Sequence, residues 1–171
     1  YTGTYLPTSM FDGCTSLGEG MELTEWLPDS FTGIGCAALR GTKFTVAFDT
    51  WSNLDYMGAY AFSQMENLDS FVLDDRLTVG LRAGASNAFS RSGIKSLTVD
   101  VAAVPAHIAW NASNLTKIIL TDEVTSIGAN AFVGTAITEF TVPSQITELG
   151  NYTFRDCSKL KKVTLEGVTK L

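Results

Sequence analysis

The hexapeptide I-G-A-N-A-F at residues 127–132 returns along the chain at intervals of about two dozen residues, and that recurrence limits the possible folds more than any other feature. Copies stand at 57–62 (M-G-A-Y-A-F), 149–154 (L-G-N-Y-T-F) and 34–39 (I-G-C-A-A-L), with a looser A-S-N-A-F at 85–89. A unit of that length cannot bury its own apolar stripe, so it must stack on its neighbours in a one-dimensional array. Taking the large apolar residue that closes each copy as an anchor gives Phe11, Leu39, Phe62, Phe89, Trp110, Phe132 and Phe154, spaced by 28, 23, 27, 21, 22 and 22 residues. A small residue precedes most of them, as at Ala61, Ala88, Ala109, Ala131 and Thr153. The expectation is one domain over residues 1–171, with about seven degenerate repeats, incomplete terminal ones, and the anchors forming a ladder through the core.

Five or six residues after each anchor stands an apolar residue: Leu17, Phe44, Leu68, Ile94, Leu115, Ile137 and Leu160. From Leu68 onward each opens a short segment of β character, L-D-S-F-V-L, I-K-S-L-T-V, L-T-K-I-I-L, I-T-E-F-T-V and L-K-K-V-T-L. Successive strand side chains face opposite sides, so in the last segment Val163 and Leu165 are expected inward while Lys162 and Thr164 face solvent. A proline or polar turn follows, as in V-P-S at 142–144 and L-P-D at 27–29, where proline removes a ladder donor and stops the strand. Then comes an apolar-x-x-apolar-Gly step, whose glycine is expected to adopt a positive φ that a residue with a Cβ resists. Two units carry insertions, near residues 18–30 and 74–88, and loops of that kind often carry binding specificity.

Bulk composition narrows the function. At 45% hydrophobic and 18% charged the chain reads as an ordinary folded domain rather than a disordered one. A net charge of -6 argues against a sequence-independent nucleic-acid partner, and no apolar run reaches the roughly 20 residues of a membrane span. The charge is uneven: residues 1–75 hold 11 acids and 2 bases, residues 76–171 hold 7 acids and 10 bases. The sequence starts at Tyr1 and shows no basic segment followed by an apolar one, so any secretion signal or anchor is expected to have been removed or to lie outside this sequence, and export is not read from it. The last core face is expected to be capped by Val168 and Leu171, covered by a partner, or left open.

The full unit, L-x-x-I-x-L-P-x-x-V-T-x-I-G-x-x-A-F-x-x-C-x-x-L, resembles the BspA-like class of leucine-rich repeats. The match is strong over residues 115–165, moderate over 27–68 and weak over 94–110; F-D-G-C-T-S-L at 11–17 repeats the closing F-R-D-C-S-K-L at 154–160. The resemblance implies an α/β repeat solenoid: a right-handed leucine-rich-repeat superhelix, with a parallel β-sheet on the concave face and short helical turns or loops on the convex one. It also implies an extracellular or cell-surface, non-enzymatic protein that adheres to proteins of a host or neighbouring cell. A structural spacer and a carbohydrate-binding module are the alternatives; two exposed coplanar aromatics would favour the latter.

The outward strand positions are the expected protein-binding face: Thr45 and Ala47, Ser70 and Val72, Ser96 and Thr98, Lys117 and Ile119, Glu139 and Thr141, Lys162 and Thr164. Trp26, Trp51 and Tyr56 are aromatics of the type enriched in binding hot spots. No catalytic, metal or cofactor site is expected. His107 is the only histidine and no G-x-S-x-G is present. Asp74 and Asp75 lack calcium-loop spacing and read as a solvated turn. Three N-x-S/T sequons, at Asn111, Asn114 and Asn151, read as accidents of turn composition. Cys14 and Cys157 lie six stacking steps apart, roughly 29 Å, whereas a disulfide needs Cα atoms within about 7 Å; both are expected as buried free thiols, with Cys36 in a different slot.

Overall fold

The computed structural model describes residues 4–46, 54–77, 86–146 and 149–167. The chain winds as a parallel-strand solenoid of about six turns with little helix. Its elements in order are β1 (Thr4–Leu6), α1 (Leu23–Trp26), β2 (Phe31–Ile34), β3 (Tyr56–Met57), β4 (Ser70–Asp74), β5 (Ser96–Asp100), β6 (Ala103–Val104), β7 (Lys117–Leu120), β8 (Ser126–Ile127), β9 (Glu139–Val142) and β10 (Lys162–Leu165).

Each regular turn contributes to two parallel stacks. The expected strands form the main one, with β4, β5 and β7 in one sheet and β9 with β10 in another. The apolar-Gly step forms a second stack of very short strands, β1-β2-β3 and β6-β8, continued by a bridge from Ile127 to Leu149. Between the stacks lies the core, where Phe71, Leu73, Leu97, Val99, Phe140 and Val142 point in from the main strands. α1 lies within the insertion near residues 18–30 and buries Leu23.

The anchors do stack, and backbone bonds fix their register. Phe62 N donates to Ala88 O, Phe89 N to Ile108 O and Phe132 N to Thr153 O, so each anchor bonds to the residue just before the next anchor. By that rule Ala109, not Trp110, holds the fifth slot, since Ala109 N donates to Ala131 O. Ala109 is fully buried, while Trp110 stands one place on, half-buried under the Arg91 guanidinium 5.0 Å from its ring. The small anchor divides the aromatics into two groups. Phe62 and Phe89 stack at 6.1 Å with Phe71 against both, and Phe132 and Phe154 stack at 6.2 Å with Phe140 against both.

The same register explains the glycines differently from the sequence expectation. Positive φ falls two residues before each anchor (Ser9, Ala37, Tyr60, Asn87, His107, Asn130, Tyr152) and two residues after (Gly13, Gly41, Gln64, Arg91, Asn111, Gly134, Asp156). The glycines of the apolar-Gly step, four residues before the anchor, are not among them. They are required by close approach. A Cβ on Gly128 would stand 2.6 Å from Ala106 N and 2.7 Å from Val104 O, and one on Gly150 2.5 Å from Ala129 N, all backbone of the preceding turn.

A small residue three places after the anchor closes the turn by side-chain chemistry. Thr42, Ser92 and Thr135 each donate a hydroxyl to the carbonyl of their own anchor, at 2.8, 2.8 and 3.0 Å. Cys157 fills the slot with a thiol that donates to Phe132 O of the turn before, at 3.1 Å. Each of these three carbonyls also accepts the backbone N–H of the residue three places on, so the side chain adds a further bond inside the coil.

Two expectations change at the outermost turns. Val163 and Leu165 pair with Phe140 and Val142 and share their side of the sheet, yet stand 40% and 44% exposed, because no described turn covers them. Cys14 is exposed rather than buried, because its turn stacks on the next through Phe11, Gly13 and their partners only on one side; Cys36 is half-buried and Cys157 buried. Val168 and Leu171 lie outside the described residues.

Candidate functional site

The outward residues of the main strands assemble into rows. Ser70, Ser96 and Lys117 are in register, and so are Val72, Thr98 and Ile119; on the other sheet Glu139 faces Lys162 and Thr141 faces Thr164. Strand alternation carries all ten to the same side, opposite the core. Val72 is 43% and Ile119 39% exposed, so the second row is an apolar and β-branched stripe in solvent with Thr98 half-buried between them. Val and Ile suit a pleated strand surface, and here both stand in solvent rather than against the core.

Thr45 departs from the face. It is exposed, but its hydroxyl bonds Glu22 Oε2 at 2.7 Å across an isolated bridge, and no long strand forms there among the described residues. Ala47 and Trp51 lie outside the described residues. The expected continuous sheet is also interrupted, since no strand pairing joins β7 to β9. Backbone bonds still tie the two turns elsewhere, from Ala136 N to Leu115 O and from Gly128 N to Val104 O. Only the main-strand side is parted. The parting opens a cleft of about 390 Å³ lined by residues including Ile118, Ile119, Leu120, Phe140, Thr141 and Pro143. Ile118 and Leu120, which should face the core as Leu97 and Val99 do, are only half-buried there. The fifth anchor, in the turn that leads into β7, is Ala109, where the turns leading into β4 and β9 carry phenylalanine. The stripe thus runs from Val72 to Ile119 and ends in an apolar notch. Sequence reasoning missed the notch, because L-T-K-I-I-L reads as a strand like its neighbours.

The remaining candidates resolve into structure. Trp26 packs between Phe11, at 5.4 Å, and Phe44, at 4.8 Å, and so belongs to the core margin. The Asp74 carboxylate holds the Arg76 guanidinium through Nη2 at 2.6 Å, and this bond raises the arginine's pKa above its ordinary value. That occupies an oxygen pair which calcium would need. His107 sits two residues before the fifth anchor with φ 59° and donates its backbone N–H to Ala129 O. Of the insertion near 74–88, residues 78–85 lie outside the described residues. No described helix is long and apolar enough to cross a membrane. A second feature was not anticipated: Tyr5, Gly33 and Tyr56 fall in one row on the second stack.

With the two stacks, the anchor register and the parted face in place, the chain can be set beside known proteins. Its residues 2–108 and 85–171 match the BspA type leucine rich repeat region, in six copies. The chain belongs to that family. Among solved structures, this leucine-rich-repeat chain is similar to a leucine rich cell surface protein from Faecalibacterium prausnitzii, with a TM-score of 0.65 and 21% identity over 96% of this chain and 43% of that one. It is also similar to a leucine-rich repeat protein from Eubacterium ventriosum, with a TM-score of 0.64 and 22% identity over 98% of this chain and 47% of that one. A leucine-rich repeat protein from Bacteroides ovatus aligns with a TM-score of 0.50 and 18% identity, over 98% of this chain and 66% of that one. The chain spans less than half the length of the first two. No match was found among curated proteins. At these identities the likeness is one of fold.

Proposed function

We propose that this repeat domain is a non-enzymatic protein-interaction module of a bacterial cell-surface or secreted protein, binding through the stripe of Val72, Thr98 and Ile119 and the notch beside it. The observation that carries the reading is the notch: an apolar opening where β7 and β9 do not pair, at the end of an exposed aliphatic row. Contiguous exposed apolar surface on a folded domain marks interaction sites more than solvated ones. Ser70, Ser96, Lys117, Glu139, Thr141, Lys162 and Thr164 would form the polar surround that such a contact needs. The surface setting draws on the family and on the printed description of the Faecalibacterium protein as a leucine rich cell surface protein.

The test is capture of surface and matrix proteins by the 171-residue chain, compared with a Val72→Lys/Ile119→Lys variant whose unfolding midpoint is checked to be unchanged. The expected result is a partner held by the parent chain and lost by the variant. Equal capture by both removes this face from the mechanism. Capture by neither, across proteins of host and neighbouring cells, favours a spacer.

A further inference from the structure

A second cleft, on the opposite stack, has its own chemistry. The residue before each apolar-Gly step points outward, and in the later turns this position holds Ala103 and Ser126, paired in register. In the first three turns it holds Tyr5, Gly33 and Tyr56, also in register. Glycine between two tyrosines removes the one side chain that would separate them: a Cβ on Gly33 would stand 2.9 Å from Tyr56 Cβ and 3.1 Å from Tyr5 Cβ. The rings converge over it, with centroids 6.2 Å apart and planes tilted by 51°. They form one side of a cleft of about 270 Å³ whose other lining includes Thr8, Thr32 and Asp55.

Three properties select the ligand. Rings tilted by 51° offer no flat platform for a sugar ring, which the coplanar arrangement would have provided. Two such rings suit a compact charge: a cation within about 6 Å of a centroid is attracted by a ring face, and centroids 6.2 Å apart allow one point about 5 Å from both. Among the lining residues stand one carboxylate, Asp55, and no base. Arg76 lies within electrostatic reach of Asp55 but is bonded to Asp74, so the three groups together retain one negative charge. The surrounding residues 1–75 hold 11 acids against 2 bases, so the field at this end attracts cations. A guanidinium prefers to lie flat on one ring, whereas a compact ammonium fits the angle between two.

We propose that the cleft between Tyr5 and Tyr56 binds an alkylammonium group, the lysine side chain of a partner protein, held by the two ring faces and the Asp55 carboxylate. Only the protein origin of the lysine rests on the interaction reading above; the ammonium chemistry belongs to this cleft alone.

The test is a titration of the 171-residue chain, followed by NMR shifts of the tyrosine ring protons, at constant ionic strength set with sodium chloride. The probes are butylammonium, butylguanidinium, methyl glucoside and the capped peptide acetyl-Gly-Gly-Lys-Gly-Gly-amide. The expected result is a saturable shift at Tyr5 and Tyr56 with butylammonium and with the peptide, weaker with the other two. Tyr5→Ala and Asp55→Asn should each weaken it about tenfold without moving the unfolding midpoint. Tyr5 is 52% exposed, so its loss spares the core. Shifts that do not saturate, equal or tighter binding of the glucoside, or an unchanged Tyr5→Ala titration would overturn the site. Binding of butylammonium but not of the peptide would overturn the lysine and leave a free amine. No partner is present in this titration, so its outcome is independent of the capture experiment on the main face.

Discussion

Gly128→Ala should destabilise the domain by about 2–4 kcal/mol, and the figure follows from where the new methyl group would go. It would stand 2.6 Å from Ala106 N, 2.7 Å from Val104 O and 2.9 Å from Ala106 Cα. None of these is the end of a flexible side chain, so relief requires two turns to part by about 0.8 Å to reach an ordinary contact near 3.4 Å. Overpacking of this kind costs about 1–3 kcal/mol. Parting also stretches the bond from Gly128 N to Val104 O, now 2.9 Å, and a backbone bond contributes about 0.5–1.5 kcal/mol net. The comparison that isolates the cause is Gly13→Ala. Gly13 has φ +75° and nothing within 4 Å of an added Cβ, so its cost is the left-handed conformation alone, about 1–2 kcal/mol. Urea denaturation followed by circular dichroism measures both. For a domain of this size, a loss of about 3 kcal/mol lowers the melting temperature by about 6–12 °C. Gly128→Ala within about 0.5 kcal/mol of the parent, or costing no more than Gly13→Ala, would refute the argument that the repeated glycine serves close approach.

Phe132→Ala, at a fully buried ring between Phe140 and Phe154, should cost about 3–5 kcal/mol, and Phe154→Ala, half-buried, clearly less; a loss under about 1 kcal/mol for Phe132 contradicts the ladder. Thr42→Val keeps shape and leaves the Thr42 backbone N–H on the Leu39 carbonyl, so losing the hydroxyl bond should cost only about 0.5–1.5 kcal/mol in the same denaturation assay. Under native conditions an alkylating reagent followed by mass spectrometry should modify Cys14 readily, Cys36 more slowly and Cys157 only on unfolding; early labelling of Cys157 would contradict its place in the core.

The repeat itself was legible because packing writes it directly into residue type: Phe62, Phe89 and Phe132 must be large, and Ala61, Ala88 and Ala131 before them must be small. Strand segments such as L-D-S-F-V-L were legible for the same reason, since Phe71 and Leu73 alternate with Ser70 and Val72. What was hidden depends on which backbone lies beside which. Ala109 and Trp110 are both apolar neighbours, and only the hydrogen bond to Ala131 decides which of them is the anchor. Glycine at 128 satisfies a positive φ and a close approach equally well on paper, and only the distance to Ala106 separates them. The outward face was legible as far as Val72 and Ile119 are concerned, but the notch was not, because it depends on β7 and β9 failing to pair, which their residue types do not record. Tyr5, Gly33 and Tyr56 lie far apart in sequence and meet only through register. Their one sequence signal was their shared place just before the apolar-Gly step.

The parting of β7 from β9 has a mechanical consequence. The turns on either side stay joined through β6, β8 and the Ile127 to Leu149 bridge while the opposite sheet is open, which is the construction of a hinge with its pin along one edge. Bending about that pin closes or widens the gap without breaking a strand pair. The two aromatic groups move as stiff blocks on either side of Ala109. A ligand wedged between Ile119 and Thr141 would set the angle between the two halves at this joint.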